Sequence, residues 1–172
     1  GQLFTQKPNG QFVRSMQPAF DADSSAEHVA ATFFDGDGDG DLDLYVVAGG
    51  NEYYGEMSQL QDLLYFNDGK GSFTKRSTAL PKMLENKSGV YPADFDKDGD
   101  VDLFVPGRVT AYAYGKPPRS FLLVNDGKGN FQDQTDRLAP ELRLAGLLTD
   151  AHWSDFDNDQ KPDLLIIGDW ME

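Results

Sequence analysis

The sequence predicts an all-β fold, a partial β-propeller made of four-stranded antiparallel blades, and three observations carry that prediction. Acidic windows starting at Asp35, Asp94 and Asp155 recur at intervals of 59 and 61 residues, which is the signature of a repeat architecture. A second marker recurs in phase with them: Leu64-Tyr-Phe-Asn-Asp-Gly-Lys-Gly-Ser-Phe73 matches Leu122-Leu-Val-Asn-Asp-Gly-Lys-Gly-Asn-Phe131, and Leu3-Phe-Thr-Gln-Lys-Pro-Asn-Gly-Gln-Phe12 is a looser copy. Phe12, Phe73 and Phe131 are thereby equivalent positions. Between the turn signals the runs are short, rich in β-branched and aromatic residues, and lack a sustained 3.6-residue period, so they read as strands.

Four strands fit each repeat. In the first full repeat, strand A is expected near residues 28–34, B near 42–48, C near 62–67 and D near 72–77. The Asn-Asp-Gly-Lys-Gly segment reads as the C–D hairpin turn, where Gly and Asn/Asp supply positive φ. Runs such as Leu44-Tyr-Val-Val-Ala48 and Leu164-Leu-Ile-Ile167 are continuous hydrophobic B strands, and with four antiparallel strands per repeat they describe the blade of a propeller. A β-sandwich is the competing architecture. Over 1–172 the expected division is the C–D strands of a preceding blade at 1–20, a blade with the first acidic loop at 28–80, a second blade at 88–140, and the A–B strands of a following blade at 149–172. Two complete blades and two complementary halves do not close a ring, since propellers use about four to eight blades. Either the chain is a piece of a longer one, or two copies form a homodimer that exchanges halves into a six-bladed ring.

Composition bounds the function. The chain has 172 residues, 39% hydrophobic and 12% aromatic, enough for a sizeable core. Its formal net charge of -14 argues against nucleic acid and anionic membrane surfaces as partners, which would be repelled. No apolar run approaches the roughly 18 residues of a membrane-spanning helix, so membrane insertion is not expected. With no cysteine, disulfides and thiolate metal sites are out, and compartment is not fixed by that fact. Of the 29 acidic residues, 14 fall within the three windows, and charge so concentrated calls for a counter-ion.

The windows read Asp35-Gly-Asp37-Gly-Asp39-Gly-Asp41-Leu-Asp43, Asp94-Phe-Asp96-Lys-Asp98-Gly-Asp100-Val-Asp102 and Asp155-Phe-Asp157-Asn-Asp159-Gln-Lys161-Pro-Asp163. Hard Ca²⁺ takes six to eight oxygens, and carboxylates at positions 1, 3 and 5 of a tight loop converge on one point, with the backbone carbonyl of position 7 and the carboxylate of position 9 completing the set. Up to three Ca²⁺ ions are expected. An EF-hand would place a glutamate at position 12 on a following helix; here position 12 is Val46, Val105 and Ile166 in strand context, so these are not EF-hands. Gly40 and Gly99 at position 6 permit a sharp turn, whereas the third loop has Gln160 there and Pro162 at position 8, so weaker binding or altered geometry is expected of it. The competing reading of each window is a solvated acidic turn without metal, opposed by the repulsion among four or five close carboxylates.

These motifs resemble the FG-GAP and VCBS-type repeats of integrin-α-like propellers, and Phe33-Phe-Asp-Gly-Asp-Gly-Asp-Gly-Asp-Leu-Asp-Leu-Tyr-Val-Val47 is especially similar to the ASPIC/UnbV-associated bacterial branch. The resemblance spans nearly the whole chain. It implies that the aspartate loop joins strands A and B and binds Ca²⁺, that the protein is extracytoplasmic (secreted, periplasmic or at the cell surface), and that it works as an interaction module.

In an up-and-down blade the A–B and C–D loops share one face and the B–C loops emerge on the other. The B–C loops, residues 50–58 and 107–119, are long and aromatic, which suits a protein or glycan ligand. Tyr53, Tyr54, Arg108, Tyr112, Tyr114 and Trp170 are the candidate contacts, against the alternative that these aromatics pack between blades. Catalysis has little support: there is no cysteine, no G-x-S-x-G, and His28 and His152 do not occupy equivalent repeat positions. The competing function is a fragment of a propeller-type glycan lyase or hydrolase whose active residues lie mostly elsewhere.

Overall fold

A computed structural model describes residues 1–169 and 171, so Trp170 lies outside the described residues. Strands β1 (Leu3–Gln6) and β2 (Phe12–Ser15) form an antiparallel hairpin, followed by the short helix α1 (Pro18–Ala22). Next comes a four-stranded meander of β3 (His28–Phe34), β4 (Asp43–Ala48), β5 (Leu63–Asn67) and β6 (Phe73–Lys75), ordered β3-β4-β5-β6. The second repeat holds β7 (Asn86–Lys87), β8 (Tyr91–Ala93), β9 (Asp102–Val105), β10 (Gly107–Val109), β11 (Phe121–Asn125) and β12 (Phe131–Asp133), and then helix α2 (Thr135–Leu138). Its blade is β8-β9-β11-β12, while β7 and β10 pair as a separate two-stranded ladder. A last hairpin joins β13 (Leu147–Ser154) to β14 (Asp163–Asp169).

The apolar strands are explained by which face each residue serves. Along β4, Tyr45 and Val47 pack into the core shared with the second blade, whereas Leu44 and Val46 pack toward α1 and Leu3. The same two-residue alternation runs through β9 and β11: Leu103, Val105, Phe121 and Leu123 face the first blade, and Phe104 and Leu122 face the last hairpin with Leu148 and Leu164. The inner strands of each central blade are therefore buried on both sides, which removes any need for a polar stripe in them. A sandwich would leave each sheet one solvated face, so the serial stacking of four layers decides for blades, and no closed barrel is present among the described residues.

Several details depart from the sequence reading. Strand A of the second blade is cut to three residues because Pro92 lies in it; proline lacks a ladder donor and is tolerated there only because β8 is an edge strand. The residues just before it turn away to pair with β10, whose residues were expected to be loop. Strand D of the first blade is 73–75, shorter than 72–77, although the Arg76 N–H still bonds Leu64 O at 2.8 Å. A buried ion pair at the blade boundary, Lys87 with Asp62 at 3.1 Å, has no forerunner in the sequence reading.

Candidate metal centre

Each aspartate window forms the A–B connection of its sheet, and each gathers three carboxylates. The groups are Asp35, Asp37 and Asp39; Asp94, Asp96 and Asp102; and Asp155, Asp157 and Asp163, with one oxygen from each residue within 4.8 Å of those of the other two. The structure does not bring Asp43, Asp98 or Asp159 into these closest groups. The three loops share one backbone trace. Position 6 donates its N–H to the position 1 carboxylate, from Gly40 to Asp35 at 3.0 Å, Gly99 to Asp94 at 3.1 Å and Gln160 to Asp155 at 3.0 Å. Position 7 likewise donates to position 5, from Asp41 to Asp39, Asp100 to Asp98 and Lys161 to Asp159.

The expected altered geometry of the third loop is not seen: Gln160 adopts φ 70°, beside 89° for Gly40 and 99° for Gly99. The left-handed conformation costs a non-glycine residue roughly 1–2 kcal/mol, and the hydrogen bond to Asp155 holds it there. Position 4 is left-handed too, at Gly38, Lys97 and Asn158, a requirement the sequence reading missed. What sets the third loop apart is its charge. Lys161 stands at position 7, where the other loops carry Asp41 and Asp100, and its Nζ lies 3.7 Å from Asp159 as an exposed pair.

A fit to a cation is testable on unpaired acceptors. Asp37 Oδ1, Asp94 Oδ1 and Asp102 Oδ2 are buried without a hydrogen-bond donor. Buried carboxylate oxygens facing one another without donors are a rarity that a bound cation removes. The all-oxygen, carboxylate-rich donor set suits a hard divalent ion.

The C–D turns brace these loops. Asp43 accepts the Gly36 N–H at 3.0 Å and the Asn67 N–H at 2.9 Å, so position 9 ties the loop start to the end of strand C. Asp102 accepts the Asn125 N–H at 2.9 Å in the same way. The position 7 side chains point at the turn glycines: a Cβ on Gly69 would stand 2.4 Å from Asp41 Oδ2, and one on Gly127 2.4 Å from Asp100 Oδ2. Any ligand role of Asp41 and Asp100 thus falls to their carbonyls. Gly127→Ala adds that collision to a left-handed φ and is expected to cost about 2–3 kcal/mol of unfolding free energy in denaturant titration, whereas Gly40→Ala, with nothing within 4 Å, should lose only the ~1–2 kcal/mol of backbone strain. Equal losses would contradict the bracing.

A family profile described as FG-GAP-like repeat matches residues 35–105, from the first residue of the first loop to the end of β9. Residues 35–105 form an FG-GAP-like repeat. No curated protein matches it. The matched FG-GAP segment contains the first two aspartate loops, and the third lies beyond it with the same backbone trace.

Electrostatics in the FG-GAP loops follow from the crowding. Asp102 is pushed up to about 6, first by burial and then by the charges of Asp96 and Asp98, against the opposing bond from Asn125. Asp37 and Asp43 are raised as well, by burial first and with neighbouring aspartates adding. An acid whose folded pKa lies above its unfolded value stabilises the fold while protonated, and that contribution is lost as pH rises through the folded value. In chelator, Asp102→Asn should therefore be more stable than the parent at pH 7, by on the order of 2 kcal/mol, with the gap closing below about pH 4. Urea unfolding at the two pH values checks this; a variant less stable than the parent at pH 7 in chelator would contradict it.

At the opposite end of the blades, the candidate contacts divide. Tyr112 is 85% exposed, Tyr114 73% and Tyr54 49%. Tyr54 and Tyr112 meet edge to face at 5.1 Å, joining the B–C loops of the two blades, and Tyr112 is held at φ 59°. Tyr53 instead donates its hydroxyl to Ser25 O, and Arg108 bonds Leu147 O and pairs with Asp169, so both tie elements together.

Proposed function

We propose that this chain is a calcium-stabilised propeller segment of an extracytoplasmic protein, acting as a non-catalytic binding or scaffold module. The observation that carries the reading is the set of three convergent carboxylate groups, two of them with buried oxygens that lack any donor. Bound Ca²⁺ would supply the positive charge that offsets the repulsion among these aspartates, so that binding free energy becomes folding free energy. Asp35, Asp37, Asp39 and Asp43 would serve the first loop with the Asp41 carbonyl; Asp94, Asp96, Asp98 and Asp102 the second with the Asp100 carbonyl; Asp155, Asp157, Asp159 and Asp163 the third with that of Lys161. The third ion is held more weakly, because Lys161 competes for Asp159.

The FG-GAP match supports a propeller module, and the resemblance of residues 33–47 to the ASPIC/UnbV-associated branch supports an extracytoplasmic setting, where calcium is millimolar. The exposed Tyr54, Tyr112 and Tyr114 make the B–C end the surface for a protein or glycan ligand, since aromatic residues supply contact area at low conformational cost. Thermal unfolding in millimolar Ca²⁺ and in excess chelator tests the structural part. A rise of ten degrees or so in calcium supports it, each ~1 kcal/mol being worth about 2–8 °C in a domain of this size range; coincident transitions would refute it.

A further inference from the structure

Asn125 touches two of the aspartate loops at once. Its Nδ2 donates to Gly36 O, inside the first loop, at 2.8 Å and to Val101 O, inside the second, at 3.1 Å. Its backbone N–H donates to Asp102 Oδ1 of the second loop at 2.9 Å, and its Oδ1 accepts the N–H groups of Gly127 and Gly129. Gly36 is itself held by the first loop, since its N–H bonds Asp43 Oδ2. One buried side chain therefore joins the position 2 carbonyl of one loop to the position 8 carbonyl of the next, while the same residue's backbone N–H holds the position 9 carboxylate. The contact has little slack: a Cβ on Gly129 would meet the Phe66 ring at 2.2 Å, so the second blade's turn is seated directly on the first blade. Asn67, the repeat equivalent, donates Nδ2 to Leu42 O of its own loop, and among the described residues no second aspartate loop is bonded to it.

From this we infer that cation binding at the first and second loops is positively coupled, with Asn125 as the positioning residue that transmits it. The inference rests on the calcium reading above. Ordering the first loop around its ion fixes the Gly36 carbonyl, which fixes the Asn125 side-chain amide, which holds the Val101 carbonyl and so the peptide that leads into Asp102 of the second loop. The second ion then meets a loop whose ordering cost is already met, and linkage makes the effect reciprocal.

The test is a calcium titration of the whole chain followed by NMR at the Gly40 and Gly99 amides, which report the first and second loops separately. Asp37→Ala, which disables the first loop, should weaken calcium at Gly99 by about fivefold or more, the lower end of common coupling strengths. In an Asn125→Asp background, which keeps the acceptors for Gly127 and Gly129 but removes the amide donor, the same Asp37→Ala change should move the Gly99 midpoint by less than about twofold. Asn67→Ala should leave the coupling intact. If Asn125→Asp unfolds, the reciprocal measurement in the otherwise native chain remains: Asp96→Ala should weaken calcium at Gly40 by the same factor. A Gly99 midpoint that ignores Asp37→Ala, or a coupling that survives Asn125→Asp, overturns the inference while leaving calcium binding in place. If neither amide responds to calcium, the calcium reading itself fails with it.

Discussion

Replacing Asp37 and Asp96 together by alanine is expected to abolish most of the stabilisation that calcium confers, while leaving the chelated chain folded. Each residue belongs to a convergent group, and Asp37 Oδ1 is one of the buried oxygens without a donor. A ligand present at about 100 times its dissociation constant stabilises the fold by roughly 2.7 kcal/mol per site, so loss of two sites removes about 5 kcal/mol in calcium. In chelator the sign reverses, because deleting a carboxylate relieves repulsion that the metal-free loops must bear. Asp41→Ala is the control. Its carboxylate lies over Gly69 and outside the group, so that variant should keep most of the calcium response. Equal calcium responses in the double variant and the parent, measured by denaturant titration, would refute the assignment of these residues.

Lys87→Met is expected to cost about 3–5 kcal/mol with or without calcium, because it strands a buried charge. Lys87 and Asp62 are both fully buried. The ammonium donates to Leu60 O at 2.6 Å and Met83 O at 2.9 Å and lies 3.1 Å from Asp62 Oδ1, so its three protons are all engaged. Asp62 also accepts the Tyr45 hydroxyl at 2.8 Å and the Ala48 N–H at 2.7 Å. Burial pushes the Asp62 carboxyl upward, and Lys87 is the largest influence opposing that shift. Pairing Lys87→Met with Asp62→Leu should recover part of the loss, since no charge is then stranded, yet not all of it, because the Tyr45 hydroxyl, the Ala48 N–H and two carbonyls lose partners. Since Lys87 comes from the second repeat and Asp62 from the first, the pair locks the blade boundary. A loss under 1 kcal/mol in urea unfolding would show that the boundary does not depend on it.

The parts that were legible in the sequence are those where one residue type has one physical use. Closely spaced aspartates can only crowd or coordinate, and the apolar run from Leu44 to Ala48 reads as strand B of a blade; the structure crowds the aspartates and forms β4 there. The turn at residues 67–71 was legible as a turn but not as a brace, because the roles of Asn67 and Asn125 depend on which carbonyls stand beside them in space. The repetition of Asn-Asp-Gly-Lys-Gly in phase with the aspartate windows was the available signal. Lys87 was illegible for a different reason: in Glu85-Asn-Lys-Ser88 it looks like solvated loop, and only the fold brings Asp62 to it. The left-handed residues Lys97 and Asn158 also escaped notice, since propensity alone would have placed glycine there, and Gln160, singled out as a departure from glycine, adopts the left-handed conformation all the same.

Isothermal titration of the metal-stripped chain with calcium chloride at neutral pH bears most directly on calcium as the structural ion of the aspartate loops. Saturable binding at two or more sites below millimolar calcium, with one site lost in Asp37→Ala and another in Asp96→Ala, is the predicted result. No retained calcium at millimolar concentration, or a stoichiometry indifferent to both substitutions, would contradict it.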